Sequence, residues 1–422
     1  MKSLRTCIAL VAAAIALSAA ADTPPSYSYT QCEGSLTPYV APEHPVAYPD
    51  SLLPVFINHV GRHGARYAAS AANCLKLRKL LERADSLGTI TPLGRKLAAL
   101  NERIIEASNG RWGALDSLGM AEQSGIATRM FYNFAEVFSS SGKVSALSSY
   151  SPRVMMSMYS FTHQLDRLNN KLEFATTTGR SNSPLMRPFD VDEDYLAFHR
   201  EKLWAPAYDE YFAKACPVTA IRRVLGRDFE ADDPAKLRDA AITEYYVVAG
   251  LSAMGWESEM STYFTREEAQ ALWSCFNLRQ YLQRTASTVS TVPADIAAQL
   301  VLNLIETTDA YIADPEASPC ACLRFGHAET LMPLLSLLRI PGCYYLTNYF
   351  DTVSEKWRDF EVVPMAANIQ FIIFRARQSG RYYVRVDLNE RPVALRSGDN
   401  AIYYPWGELR RYMMNAVPLY AQ

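Results

Sequence analysis

The sequence predicts an α/β fold: a central, mostly parallel sheet flanked by helices, with an inserted and mainly helical cap domain. Three observations carry this. Short apolar runs of strand character alternate with helix-like segments up to about residue 165. From about 167 to 300 the strand patterns stop and helix signals take over. Beyond that the strands return, so residues 22–166 and 301–422 form one discontinuous α/β domain and residues 167–300 its cap. A chain of 422 residues exceeds one small domain and fits this division.

Residues 1–21 lie outside that scheme. Lys2 and Arg5 precede an apolar core from Ile8 to Leu17, and Ala19-Ala20-Ala21 offers a small-residue cleavage site before Asp22. This is the pattern of a secretory signal peptide, so export to the periplasm or the medium is expected. The core is shorter than the roughly 20 apolar residues of a spanning helix. No other segment is longer and as apolar, and no integral membrane segment is expected. Residues 22–50, rich in Pro, Ser and Tyr, read as an irregular lead-in.

Val55-Phe56-Ile57 reads as a short buried strand. Gly61 and Gly64 break its pattern and place Arg62, His63 and Arg66 in a loop past the strand end. Ala146–Tyr150 is a second strand, and Val154–Leu165 is helical. In the insertion, Asp233-Pro234 starts a helix running towards Ala253. Thr265-Arg266-Glu267-Glu268 is a capping box opening a helix through Arg284. Pro293 occupies the first turn of another that reaches about Ile312. Cys320–Phe325, Ile369–Phe374 and Tyr382–Leu388 complete the strands.

Removing Lys2 and Arg5 from 42 basic residues leaves 40 against 44 acidic ones, a net charge of −4. That excludes a general nucleic-acid binder, which is basic overall; an anionic ligand needs a local basic pocket instead. Cys7 departs with the leader, leaving seven cysteines, an odd number, so at least one thiol is free or pairs between chains.

The candidate chemistry sits in Arg62-His63-Gly64-Ala65-Arg66, just past a strand, where ligands bind in open α/β sheets. A neutral imidazole attacks phosphorus to form a phosphohistidine, provided the phosphate charge is offset. Guanidinium forks offset it and match the phosphate oxygens in pairs. His63 between two arginines therefore has the parts for phosphoryl transfer, a reaction governed by positioning and charge. Gly64, with no side chain, lets the loop approach the phosphate. One histidine in a basic loop is usually incidental. The whole Arg-His-Gly-x-Arg string arises by chance in such a chain on the order of once in several hundred.

Two downstream segments complete the set. In Arg324-Phe325-Gly326-His327-Ala328-Glu329 a strand ends and a helix begins, and a helix N-terminus attracts anions. His327 can donate to the phosphate, and Glu329 can protonate the departing oxygen, an effect of typically about 10²–10⁴-fold. Ser151-Pro152-Arg153 follows the second strand and offers a third guanidinium, Arg153. His59 falls within or just after its strand and reads as structural; His44, His163 and His199 have no motif around them. No histidine makes a ligand-spaced pair with carboxylates, so neither metal nor other cofactor is expected.

These motifs resemble those of the histidine acid phosphatases, the clade of the histidine phosphatase superfamily that includes phytases. Arg62 to Arg66 matches the nucleophile motif, with Tyr67-Ala68 where the family usually has its proline. Ser149, Arg153, Ser157 and Phe161 follow a second family stretch. His327-Ala328-Glu329 is the proton-donor form of the multiple inositol polyphosphate phosphatases. Leu185–Asp190, Asn389-Glu390 and Tyr404-Pro405-Trp406 echo other elements of that branch. The resemblance spans roughly residues 50–410. It implies a phosphoglycerate-mutase-like fold and an exported phytase acting on inositol hexakisphosphate through a phosphohistidine at His63, without metal. Glu329 would be the acid, and Arg62, Arg66, Arg153 and His327 would bind the phosphate. Arg180, Arg187 and Lys202 are cap candidates for peripheral phosphates. A broad acid phosphatase acting on sugar phosphates or nucleotides would share the core residues. An inactive phosphate-ester binder would need the arginines but neither His63 nor Glu329. The oligomeric state stays open.

Overall fold

The computed structural model describes residues 26–229, 233–395 and 400–419, so the expected leader lies outside the described residues. Eight strands form one sheet: β1 (Leu52–Arg62), β2 (Gly142–Ser148), β3 (Leu172–Thr177), β4 (Ala321–Gly326), β5 (Asn368–Ala376), β6 (Tyr382–Leu388), β7 (Arg391–Pro392) and β8 (Tyr404–Pro405). Their order is β3-β2-β4-β1-β5-β6-β7, with β8 also on β6. β3, β2, β4 and β1 run parallel, and β5, β6, β7 and β8 add antiparallel pairings. The register sets Arg62 against Gly326 and Ser148 against Phe325. The carboxyl ends of β1, β2 and β4 therefore finish side by side.

Both faces of the central strands are covered, as parallel strands require. Side chains alternate along a strand, so Phe56 and Val60 face one side while Ile57 faces the other. The first side packs on α7 (Ala298–Ala313) and α8 (Ala328–Leu337) through Leu304, Ile305, Leu331 and Leu335. The second packs on α3 (Ser117–Asn133) and α4 (Pro152–Leu168) through Ile126, Met130, Met158 and Phe161. Helix starts follow local chemistry. Asp116 caps α3 by accepting from Gly119 N at 2.7 Å. Pro152 sits in the first turn of α4.

The helical layer has its own core. α5 (Pro234–Ala249) and α6 (Arg266–Arg284) contribute Leu237, Tyr245, Leu272 and Trp273. α1 (Ala72–Ser86) and α2 (Pro92–Ser108) join them with Leu77, Leu81, Leu97 and Ile104, so two helices ahead of the insertion belong to this layer. Conversely, β3 lies within 167–300 yet pairs with β2 at the edge of the main sheet. The capping box forms as read: Thr265 Oγ1 accepts from Glu268 N, and Glu268 Oε2 accepts from Thr265 N.

Two local expectations are corrected. β1 does not stop before Gly61; it continues through Arg62, paired on both sides as far as Gly61. Gly61 serves space rather than chain reversal, since a Cβ there would lie 2.6 Å from the His59 ring. The helix expected from Pro293 is two pieces, Val292–Asp295 and Ala298–Ala313. Tight bonds from Ala294 N to Thr291 O and from Ala297 N to Ala294 O close the first turn. The seven described cysteines are free thiols. No described helix is long and apolar enough to cross a membrane.

Candidate active site

The segment after β1 is held at every backbone N–H by a different element. Arg62 N donates to Ala367 O at 2.7 Å, His63 N to Gly326 O at 3.1 Å and Arg66 N to Ala253 O at 2.8 Å. Gly64 N donates to Ser157 Oγ at 3.2 Å, and Ala65 N to Glu122 Oε2 at 2.7 Å. Gln123 Nε2 donates to Arg62 O at 2.8 Å. With its amides fully matched, this loop is preorganised rather than adaptable. Glu122 and Gln123, both on α3, carry no motif signal and escaped the sequence reading.

His63 is buried. Its Nδ1 lies 2.9 Å from Gly64 O. A carbonyl only accepts, so Nδ1 carries the proton and Nε2 keeps its lone pair. Burial first, then Arg62, Arg153, Arg66 and His327, hold its pKa well below the ordinary imidazole value. The ring is thus neutral and nucleophilic at Nε2.

Around it lie arginines with unmatched donors. Arg62 Nη1 donates to Ser35 O at 2.6 Å and to Val363 O at 2.5 Å. Arg66 Nη1 donates to Tyr67 O at 2.9 Å. The Nε atoms of Arg62, Arg66 and Arg153 are buried with no partner among the described residues. Burial, and then the positive charges of Arg62 and Arg153, push Arg66 down to about 9. Burial likewise pushes Arg62 down to about 10. Such a cluster attracts a phosphate-sized anion.

His327 closes the far side, its ring 5.7 Å from that of His63. Its Nε2 lies 2.7 Å from Arg187 Nη1 and 3.0 Å from Ser149 Oγ, and its Nδ1 lies 3.4 Å from Arg153 Nη2. A guanidinium only donates, so at the shorter of these contacts Nε2 accepts from Arg187. Burial, opposed by Glu329 and reinforced by Arg153, Arg187 and Arg62, pushes His327 down to about 3.

Glu329, in the first turn of α8, lines the same cavity of about 330 Å³ as Arg62, His63, Arg66 and Arg153. Burial alone would raise its carboxyl. Arg284, His327, a backbone N–H and Arg62 reverse this and hold it well below the usual carboxylate range. Arg284 Nη2 donates to Glu329 Oε1 at 3.1 Å. Arg284 was missed from sequence, where it marked only the end of a capped helix.

The cap candidates separate. Arg187 is not peripheral: it touches His327, and Asp190 Oδ2 accepts from its Nε at 2.5 Å. Tyr150 and Phe189 lie under its guanidinium at 4.8 and 4.7 Å. Arg180 is exposed, its guanidinium 4.5 Å from the centroid of the same Tyr150 ring. Lys202 is exposed, with φ 52, and its side chain makes no hydrogen bond or ion pair to these residues. His59 packs between Phe161 and Phe325 inside β1, as a structural residue. Glu390 pairs with Arg129 at 2.7 Å. Trp406 Nε1 donates to Asp309 Oδ1 at 2.8 Å, well outside this group.

Residues 55–389 match the model of the histidine phosphatase superfamily (branch 2). The chain is 26% identical over 396 residues to multiple inositol polyphosphate phosphatase 1 of Gallus gallus, covering 90% of this chain and 84% of the relative. Its fold is similar to that of the Bifidobacterium longum multiple inositol polyphosphate phosphatase in complex with inositol hexasulfate. The TM-score is 0.76 at 18% identity, over 92% of this chain and 99% of that one. It is also similar to the phytase from D. castellii, with a TM-score of 0.69 at 17% identity, over 92% and 86%.

Proposed function

Because the chain belongs to branch 2 of the histidine phosphatase superfamily, we propose that it is a phosphomonoesterase that hydrolyses inositol polyphosphates through a covalent phosphohistidine. The observation that carries this is the neutral Nε2 of His63, left without a partner by the Nδ1 bond to Gly64 O, among buried arginines with unmatched N–H groups. The lone pair of His63 Nε2 forms the N–P bond while the ester P–O bond breaks. The electron pair of that bond leaves with the oxygen, which takes a proton from Glu329. Water then attacks the phosphohistidine, gives a proton back to Glu329, and releases inorganic phosphate with His63 restored. Arg62, Arg66 and Arg153 neutralise the transferring group and His327 hydrogen-bonds to it, as phosphoryl transfer demands. The guanidiniums supply the charge that a metal ion would otherwise provide, so the reaction runs without one.

Inositol polyphosphate as substrate is supported by the curated relative's name and by the inositol hexasulfate held in the Bifidobacterium longum structure. A second reading, a broad acid phosphatase, is favoured by one feature: the cavity that the arginines line also carries apolar side chains, among them Leu36, Ile104, Val247, Met254 and Phe276. Export is supported by the Lys2 to Ala21 segment. The deciding experiment compares phosphate release from inositol hexakisphosphate and from an aryl phosphate, each with and without chelator. A higher kcat/KM on the inositol ester, undiminished by chelator, is expected. Equal or better use of the aryl ester would favour the broad phosphatase, and chelator loss restored by a divalent ion would overturn the metal-free mechanism.

A further inference from the structure

We infer that Arg284 is the positioning residue for Glu329: from the last turn of the cap helix α6 it grips the carboxylate and ties the cap to the group that protonates the leaving oxygen. This rests on the phosphohistidine reading above and adds a residue that none of the sequence motifs contains.

The geometry is specific. Arg284 Nη2 reaches Glu329 Oε1 at 3.1 Å, while its Nη1 is bonded within its own helix to Gln280 and, at 3.3 Å, to Gln283. Gln280 Nε2 in turn donates to Ser35 Oγ at 3.3 Å, and the carbonyl of that same Ser35 receives Arg62 Nη1. Asn277, one turn earlier, fixes α6 to Trp357 O and Asp359 N at 2.8 and 2.9 Å. The guanidinium is therefore held from behind and offers one edge to Glu329, whose side chain remains 33% exposed. The groups facing this carboxylate are Arg62 on β1, Arg66 in the loop, Arg153 on α4, His327 at the cap of α8, Tyr195 and Arg284. Of the cations, Arg284 is the one hydrogen-bonded to it.

The chemical consequence concerns the proton. The reacting complex must carry one proton for the departing oxygen, brought in either on Glu329 or on the substrate's phosphate, whose second ionisation lies near pH 6. With one proton shared between two sites, the rate holds level between their ionisations and falls below the lower one. Arg284 keeps the lower one, that of Glu329, out of the working range, so the empty enzyme holds an aligned carboxylate and stays active in acid.

The test measures kcat/KM from about pH 3 to 7 for wild type, Arg284→Gln and Arg284→Lys, on an alkyl phosphate and on an activated aryl phosphate. In Arg284→Gln an acid limb is expected to appear on the alkyl phosphate, near the ordinary carboxylate value of about 4.3. The aryl phosphate, whose departure needs no proton, should show no such limb. Arg284→Lys keeps the charge and should keep the wild-type profile. If Arg284 only joins cap to core, Arg284→Gln will lower both substrates equally with unmoved profiles, and the inference fails. Acid-quenched phosphoenzyme in the same samples separates the two levels. Its absence from wild type would overturn the phosphohistidine reading itself, whereas its presence with an unmoved limb would remove only the role of Arg284.

Discussion

Gly64 and Gly119 meet backbone to backbone. A Cβ on Gly64 would lie 2.4 Å from Gly119 O, and one on Gly119 would lie 2.1 Å from Ala65 O. Neither glycine has a positive φ, so the requirement is space, not backbone freedom. The first turn of α3 thus seats the nucleophile loop, and Glu122 on the same helix holds Ala65 N.

In an unconstrained helix, Gly119→Ala would gain up to about 1 kcal/mol. Here the methyl meets rigid backbone, and a loss of about 1–3 kcal/mol is expected from overpacking. Turnover of alkyl and aryl phosphates should fall together, because the displaced group is His63. Denaturant melts and kcat on both substrates check this; a stabilised and fully active variant would contradict the seating.

Glu329→Gln retains size and hydrogen bonding but removes the transferable proton. Alkyl phosphates should lose about 10²-fold or more in kcat, and an aryl phosphate with an acidic phenol far less. Equal losses on both, with stability down by about 0.5–2 kcal/mol as for a lost helix cap, would assign Glu329 to its helix instead.

Stability should be greatest in mild acid. Burial raises several carboxyls in the fold, among them Asp359 to about 6, Glu33 and Glu122 to about 7, and Glu244 to about 8. The folded state holds their protons where the unfolded chain has released them, so stability falls as pH rises towards 8. Burial lowers His59 and His327 to about 3, and His63 is lowered too. These stay neutral while the unfolded chain protonates them, so stability also falls as pH drops from the unfolded histidine value of about 6.5 towards 3. Between neutrality and pH 8 only the carboxyl effect remains. Urea midpoints should therefore decline there, and Glu122→Gln should flatten the decline. Midpoints that rise through this interval would refute the assignment.

Much of the site was legible because its chemistry lies in contiguous strings. Arg62 ends β1 and His63 and Arg66 follow it directly, and His327 and Glu329 share one helix start; the parallel register of β1 against β4 then brings the two together. Arg284 and Glu122 were not legible, since each acts across the fold on a partner with no sequence signature of its own. Arg187 was read as peripheral because its cap segment looked solvated; the stack of Tyr150 and Phe189 beneath it turns it inward to His327. The extent of β1 was misjudged for a local reason, as Gly61 was taken for a breaker when it makes room for the ring of His59.

The most direct measurement of the central claim is acid-quench trapping with a labelled phosphate ester. Wild type should yield a phosphoenzyme that is labile in acid and stable in base, as a phosphoramidate is. His63→Ala should fold, as judged by its melt, yet give no label and no turnover of any substrate. Label retained on a folded His63→Ala variant, or turnover within tenfold of wild type, would place the nucleophile elsewhere and contradict the account.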